Sequence, residues 1–205
     1  MATRKLGSLY SRFLVRTEQL SDAFFAPLPQ DPKEAAQCQF VHAAGNVQII
    51  NRLLVLWGEY CRNLVIQSAY GNVLTLQGNR LSTIPGINGF SDLRAKLGVD
   101  ISAGPGTKWD EPTWAVQRAR QLAPANFTQI NLGVGFAPID QLRVLRNYLV
   151  HPNEHTKGRY QNLAIQLGYP GRQPNELLKS NLQMGQTVFE SWIADFQIAA
   201  YNAAL

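Results

Sequence analysis

The stretch VQIINRLLVLWGEYCRNL, residues 47–64, decides the fold class. Val47, Ile50, Leu54, Trp57, Cys61 and Leu64 recur at intervals of three and four. That period gathers side chains on one face of an α-helix, whereas a strand needs strict alternation. Upstream, Asp31 can cap a helix, Pro32 suits its first position, and Glu34 can complete a capping box. A long helix is therefore expected over residues 32–70, stopped by Gly71-Asn72. Gly45 and Gly58 interrupt it, each costing about 1 kcal/mol relative to alanine. They mark close contacts or a kink.

Outward from this helix, Leu6, Leu9, Phe13, Leu20 and Phe24 give a second helical stripe over residues 6–25, closed by Pro27 and Pro29. Beyond residue 72 the pattern changes. Residues 73–77 and 80–84 flank Gly78-Asn79, which reads as a two-residue hairpin because glycine supplies the positive φ such turns need. Glycine and proline recur as far as Lys108, with a short helix expected over 91–97. Residues 72–110 thus read as an insertion, too short to hold a core of their own. Helical pattern returns at 112–122 and 138–151, then near 160–167. A last helix, capped by Asn175, is expected to run to about the C-terminus with Leu178, Leu182, Val188, Trp192, Phe196 and Ala199 inward. Residues 125–137 show no clear pattern. The 205-residue chain is expected to be one mainly all-α domain, residues 1–205, carrying an inserted β-hairpin and loop region.

A 45% hydrophobic composition supports a sizeable core, and no run approaches the roughly 18 apolar residues of a membrane span. Arg4 and Lys5 lead into an amphipathic pattern, so no secretory leader is expected. The only cysteines, Cys38 and Cys61, fall on the one long helix, roughly 35 Å apart along its axis, too far to bridge within a chain. A reducing, cytoplasmic compartment follows. The net charge of +5 and pI of about 9.4 are compatible with a polyanionic partner without establishing one. No block of like charges suggests a disordered basic tail.

The chemistry-bearing stretch is DQLRVLRNYLVHP, residues 140–152. On a helix, Leu142, Leu145 and Leu149 form a core stripe, while Arg143, Asn147 and His151 stack at intervals of four on another face. Arg146 lies at the edge of that face, with the reach to join it. Such a row suits RNA cleavage without a metal, in which the ribose 2′-OH attacks the adjacent phosphorus. Histidine moves protons near neutral pH, and arginine offers two parallel donors to phosphate oxygens as charge builds there. Asn147 can orient the imidazole or hold the phosphate. The spacing alone is weak, because arginine and histidine fall at such intervals in many helices.

Arg146-Asn147-x-x-x-His151 resembles the Arg–polar–x(3 to 5)–His motif of HEPN-domain ribonucleases. The surroundings are similar too: a long preceding helix, the motif near the end of a later helix, a loop and a closing helix. Gly58-Glu-Tyr-Cys-Arg-Asn-Leu64 is similar to the RiboL-PSP-like branch. The resemblance covers about half the chain and leaves the insertion without a counterpart. It implies a HEPN-like helical bundle acting as a homodimer, with two motifs facing one another in a composite site. It implies metal-independent endoribonuclease activity, as a toxin or antiviral effector, with an antitoxin or defence-system partner. Arg146 would then stabilise phosphate, Asn147 would be its polar companion, and His151 would handle protons. Arg143 lies outside the motif and joins as a substrate-binding candidate through its stacking with Asn147. One subgroup carries tyrosine two residues after the histidine; here that position is Asn153, which puts regulation by modification of such a tyrosine in doubt. Some members have lost activity, so a non-catalytic RNA-binding or protein-interaction module is the alternative.

Other residues favour blander roles. His42 reads as a packed helix residue and His155 as a solvated loop residue. Gly133-x-Gly135 lacks the context of a dinucleotide site. Trp109, Trp114 and Tyr148 are placed in the core rather than against bases. No set of His, Cys, Asp or Glu has a metal-ligand spacing, and no cofactor is expected.

Overall fold

A computed structural model describes residues 4–27, 31–70, 73–81, 85–97, 101, 108–122, 132, 137–182 and 185–205, with backbone alone at 4, 32, 34–44, 97, 112, 122 and 137. The protein is mainly all-α. The described helices are α1 (Leu6–Phe25), α2 (Pro32–Tyr70), α3 (Phe90–Leu97), α4 (Pro112–Leu122), α5 (Ala137–Val150), α6 (Glu154–Gln166), α7 (Pro174–Leu178) and α8 (Val188–Ala204). Two short strands, β1 (Arg4–Lys5) and β2 (Val73–Leu74), pair in parallel. No helix among the described residues is long and apolar enough to cross a membrane. The chain divides into two units, the first comprising Met1–Arg16, Val55–Phe136 and Phe196–Leu205, the second Thr17–Leu54 and Ala137–Asp195.

In the first unit, Leu6, Leu9 and Phe13 of the stripe predicted for α1 and Trp57, Cys61 and Leu64 of that predicted for α2 are buried. Phe13 meets Trp57 edge-on at 5.9 Å between ring centroids, and Trp57 meets Phe196 at 5.4 Å. The buried Tyr60 hydroxyl donates to the Ala200 carbonyl at 2.6 Å, which satisfies a polar group that would otherwise be costly inside. The inserted region contributes to this same core: Val73, Ile87, Leu93, Ile101 and Trp109 are all buried. Gly58 has its reason here. A Cβ at that position would lie 3.2 Å from the Asp110 backbone nitrogen, so glycine lets the turn at Trp109–Asp110 pass close to α2 without displacement.

The expected hairpin differs in register. Gly78 does take positive φ (80°), but it ends a three-residue loop rather than beginning a two-residue one. Gly78 N donates to Thr75 O at 3.1 Å and Thr75 N to Asn79 O at 2.9 Å. This is the turn in which a left-handed residue follows a tight bend. The bridge partner of Leu74 is therefore Arg80, and β2, shorter than predicted, pairs with β1 in parallel. The outer part of the predicted second strand, 82–84, lies outside the described residues, as do Gly71-Asn72 and Gly133-x-Gly135.

In the second unit, Phe24 stacks obliquely on Phe189 at 4.2 Å, and Ile139, Leu142 and Leu145 of α5 are fully buried. Leu149, the last of the predicted stripe, is half-buried near the end of α5. The helix predicted near 160–167 starts earlier, at Glu154. Asn153 Oδ1 accepts from Thr156 N and Thr156 Oγ1 accepts from Asn153 N, both at 3.0 Å, forming a capping box. His155 therefore lies in the first turn of a helix, exposed, and not in a loop.

The last predicted helix is two. Asn175 is not its cap: Gln173 holds the cap position of α7 and Pro174 the first helical one. The chain leaves α7 after Leu178, passes through a bridge between Asn181 and Thr187, and takes positive φ (79°) at Gly185. It restarts where Glu190 Oε2 accepts from Thr187 N at 2.8 Å and Thr187 Oγ1 accepts from Glu190 N at 3.2 Å. Thr187-Val-Phe-Glu190 is itself a capping-box sequence, and that local signal overrides the continuous apolar stripe.

Candidate functional site

The site is built on α5, inside the second unit. Its position is fixed from behind by the buried Ile139, Leu142 and Leu145, and at one side by Trp192, whose indole N–H donates to Gln141 Oε1 at 2.9 Å. The opposite face carries the polar residues.

Arg146 and Asn147 are brought together. The half-buried Arg146 donates from Nη1 to Asn147 Oδ1 at 3.1 Å and from Nε to Asn51 Oδ1 at 3.2 Å. A guanidinium carries five N–H donors, so three remain on its Nη atoms. Asn51 was not legible as a site residue. Its one signal is an amide placed four residues after Val47, on the flank of the α2 core stripe. Arg143, also half-buried, lies one turn before Asn147.

His151 sits just beyond α5 and extends its hydrogen-bonding by one residue, its N–H donating to Asn147 O at 2.9 Å. Its carbonyl accepts from Thr156 Oγ1 at 2.7 Å and Asn153 Nδ2 at 3.2 Å. The backbone of His151 is thus clamped by the residues that cap α6, while its side chain is exposed and makes no hydrogen bond among the described residues. At about 100° per residue, His151 projects about 40° from Asn147 and about 140° from Arg146 around the axis. Asn147 stands between guanidinium and imidazole, and Arg146 and His151 of one chain do not touch.

Two stacked tyrosines form the rim beside the site. Tyr148 stacks on Tyr160 with ring planes 7° apart and centroids at 4.7 Å, and Tyr160 donates to Arg172 O at 2.6 Å. Burial, followed by the nearby Tyr148 and Glu176, pushes the Tyr160 hydroxyl up to about 12, so it stays a donor at all ordinary pH. Tyr148 therefore gives one ring face to Tyr160, in keeping with a packing role. Trp109, buried edge-on against Trp114 in the first unit, is a core residue as expected. The side chains of His42 and Cys38 lie outside those described. Cys61 is fully buried, and burial raises its thiol well above the usual range, as expected of a core residue and not of a nucleophile.

Comparison with protein-family models, with curated proteins and with solved structures finds no match for this chain.

Proposed function

We propose that this chain is a metal-independent endoribonuclease of the HEPN type. The observation that carries the reading is a half-buried Arg146 tethered by two amides, with an exposed His151 one turn beyond Asn147 on the same segment. In the reaction, the ribose 2′-oxygen bonds to the adjacent phosphorus as its proton passes to an imidazole. The bond from phosphorus to the 5′-oxygen breaks, and that oxygen takes a proton from an imidazolium. The products are a 2′,3′-cyclic phosphate and a 5′-hydroxyl end. The remaining Arg146 donors meet the phosphate oxygens as negative charge accumulates, Arg143 draws the neighbouring backbone, and Asn147 holds the guanidinium in place.

The motif has a single imidazole, His151, turned well away from Arg146, which suits a composite site. A second copy of the chain supplies the other histidine, so that one removes a proton while the other delivers one. The cellular reading is a cytoplasmic toxin or antiviral effector, held in check by an antitoxin or defence-system protein.

Incubation of the purified protein with total RNA, with and without EDTA, tests this. The expected outcome is EDTA-resistant cleavage that falls by about 10²–10⁴ in His151→Ala, the usual contribution of a positioned acid–base group. A comparable loss is expected in Arg146→Ala. Cleavage indifferent to both substitutions removes the site. Salt-sensitive RNA binding without cleavage indicates the non-catalytic module instead. The solution mass tests the second copy.

A further inference from the structure

We infer that Asn51 is a positioning residue for Arg146, whose neutral amide oxygen aims the guanidinium while leaving its positive charge uncompensated for a phosphate. The inference rests on the proposed role of Arg146 as the phosphate-binding group. Asn51 comes from α2, 95 residues away in sequence, and its Oδ1 accepts the Arg146 Nε–H at 3.2 Å. The second acceptor, Asn147 Oδ1, is likewise an amide. Among the described residues no carboxylate pairs with Arg146.

This is an unusual way to hold a half-buried arginine. A carboxylate would grip the guanidinium more strongly than an amide oxygen does, because both partners then carry charge and the pair can be bidentate. It would also cancel the charge, and an anion arriving at the pair would meet a dipole instead of a cation. Two amides sacrifice strength of grip and keep the charge. They engage Nε and one Nη1 hydrogen, leaving the other Nη hydrogens to approach a ligand. Asparagine and aspartate have nearly the same shape, so the point of the arrangement is carried by a single formal charge at Asn51.

Asn51→Asp isolates that charge, because it keeps the acceptor and the volume. Asn51→Ala removes the acceptor and adds no charge. Binding of a single-stranded oligoribonucleotide is measured against salt concentration in a His151→Ala background, where cleavage does not intervene. Asn51→Asp and Arg146→Ala are each expected to shallow the log–log salt dependence by about 0.7, the equivalent of one lost phosphate contact. Asn51→Ala is expected to keep the wild-type slope while cleavage by the otherwise native protein falls about tenfold or more through a lower kcat. Titration with inorganic phosphate, followed by the Arg146 Nε–H resonance, gives a readout independent of RNA: a saturable shift in the native protein, lost in Asn51→Asp. A folded Asn51→Asp protein with native slope and native phosphate response overturns the inference. So does a native protein whose Arg146 resonance ignores phosphate. If the phosphate response is present and lost as expected but no RNA is cut, the role of Asn51 stands and the ribonuclease reading falls.

Discussion

Gly45 and Gly58 lie on the same helix, α2, and their replacement by alanine is expected to move stability in opposite directions. In a helix, alanine is favoured over glycine by about 0.5–1 kcal/mol, chiefly because glycine loses more backbone freedom on folding. At Gly45 nothing lies within 4 Å of an added Cβ, so the gain is realised in full. At Gly58 the added Cβ meets the Asp110 nitrogen at 3.2 Å and the Trp109 carbonyl carbon at 3.6 Å. Both neighbours are backbone and cannot rotate aside. Trp109 is buried and edge-packed on Trp114 at 4.7 Å, so the turn moves only by disturbing the core beneath it. Overpacking of this kind costs about 1–3 kcal/mol. Set against the helix gain, Gly58→Ala comes out destabilising by about 0–2.5 kcal/mol, and the two variants differ by about 1–3 kcal/mol. Urea unfolding followed by far-UV circular dichroism reads this directly, with the Gly45→Ala midpoint above the native one and the Gly58→Ala midpoint below Gly45→Ala. Equal stabilisation by both substitutions would falsify the close approach of the Trp109–Asp110 turn to α2.

Two further predictions concern elements that frame the site. Thr187→Ala removes one half of the capping box that starts α8 and is expected to cost about 0.5–2 kcal/mol, while Thr187→Ser retains most of it; thermal melts of the pair check this. Tyr160 has its hydroxyl raised from the ordinary 10 to about 12, so the folded state holds the proton more tightly than the unfolded chain. Its contribution is complete below pH 10 and is lost as pH rises through 12. Melting temperature is therefore expected to fall over this alkaline range less steeply in Tyr160→Phe than in the native protein, and identical slopes would assign the alkaline loss elsewhere. At neutral pH that variant also loses the bond to Arg172 O, worth about 1 kcal/mol.

Periodicity and local start signals carried much of the architecture. The stripe of Leu6, Leu9, Phe13, Leu20 and Phe24, of which Leu20 is only half-buried, fixed α1, and the Val47–Leu64 stripe with Asp31-Pro32 fixed α2, because a helix that buries one face repeats at 3.6 residues whatever it packs against. That Asn147 accompanies Arg146 was implied by the family resemblance alone, since neighbouring side chains on a helix do not face each other. Where competing local signals met, the apolar stripe misled: residues 175–205 read as one helix although Thr187 and Glu190 announce a second start. The Gly78 loop shows the same limit, since glycine tells that positive φ is needed but not at which position of the loop.

From sequence alone came the helical class, the long helix and the row of Arg143, Asn147 and His151, all set by contacts within about one turn or by a repeating face. Folding in three dimensions decided that Gly58 is a point of close passage and Gly45 is not. It also chose Asn51 to hold Arg146 and turned His151 to solvent behind the α6 cap. Each of these depends on which distant segment arrives at a given face, and a partner 95 residues away leaves no period in the chain to betray it.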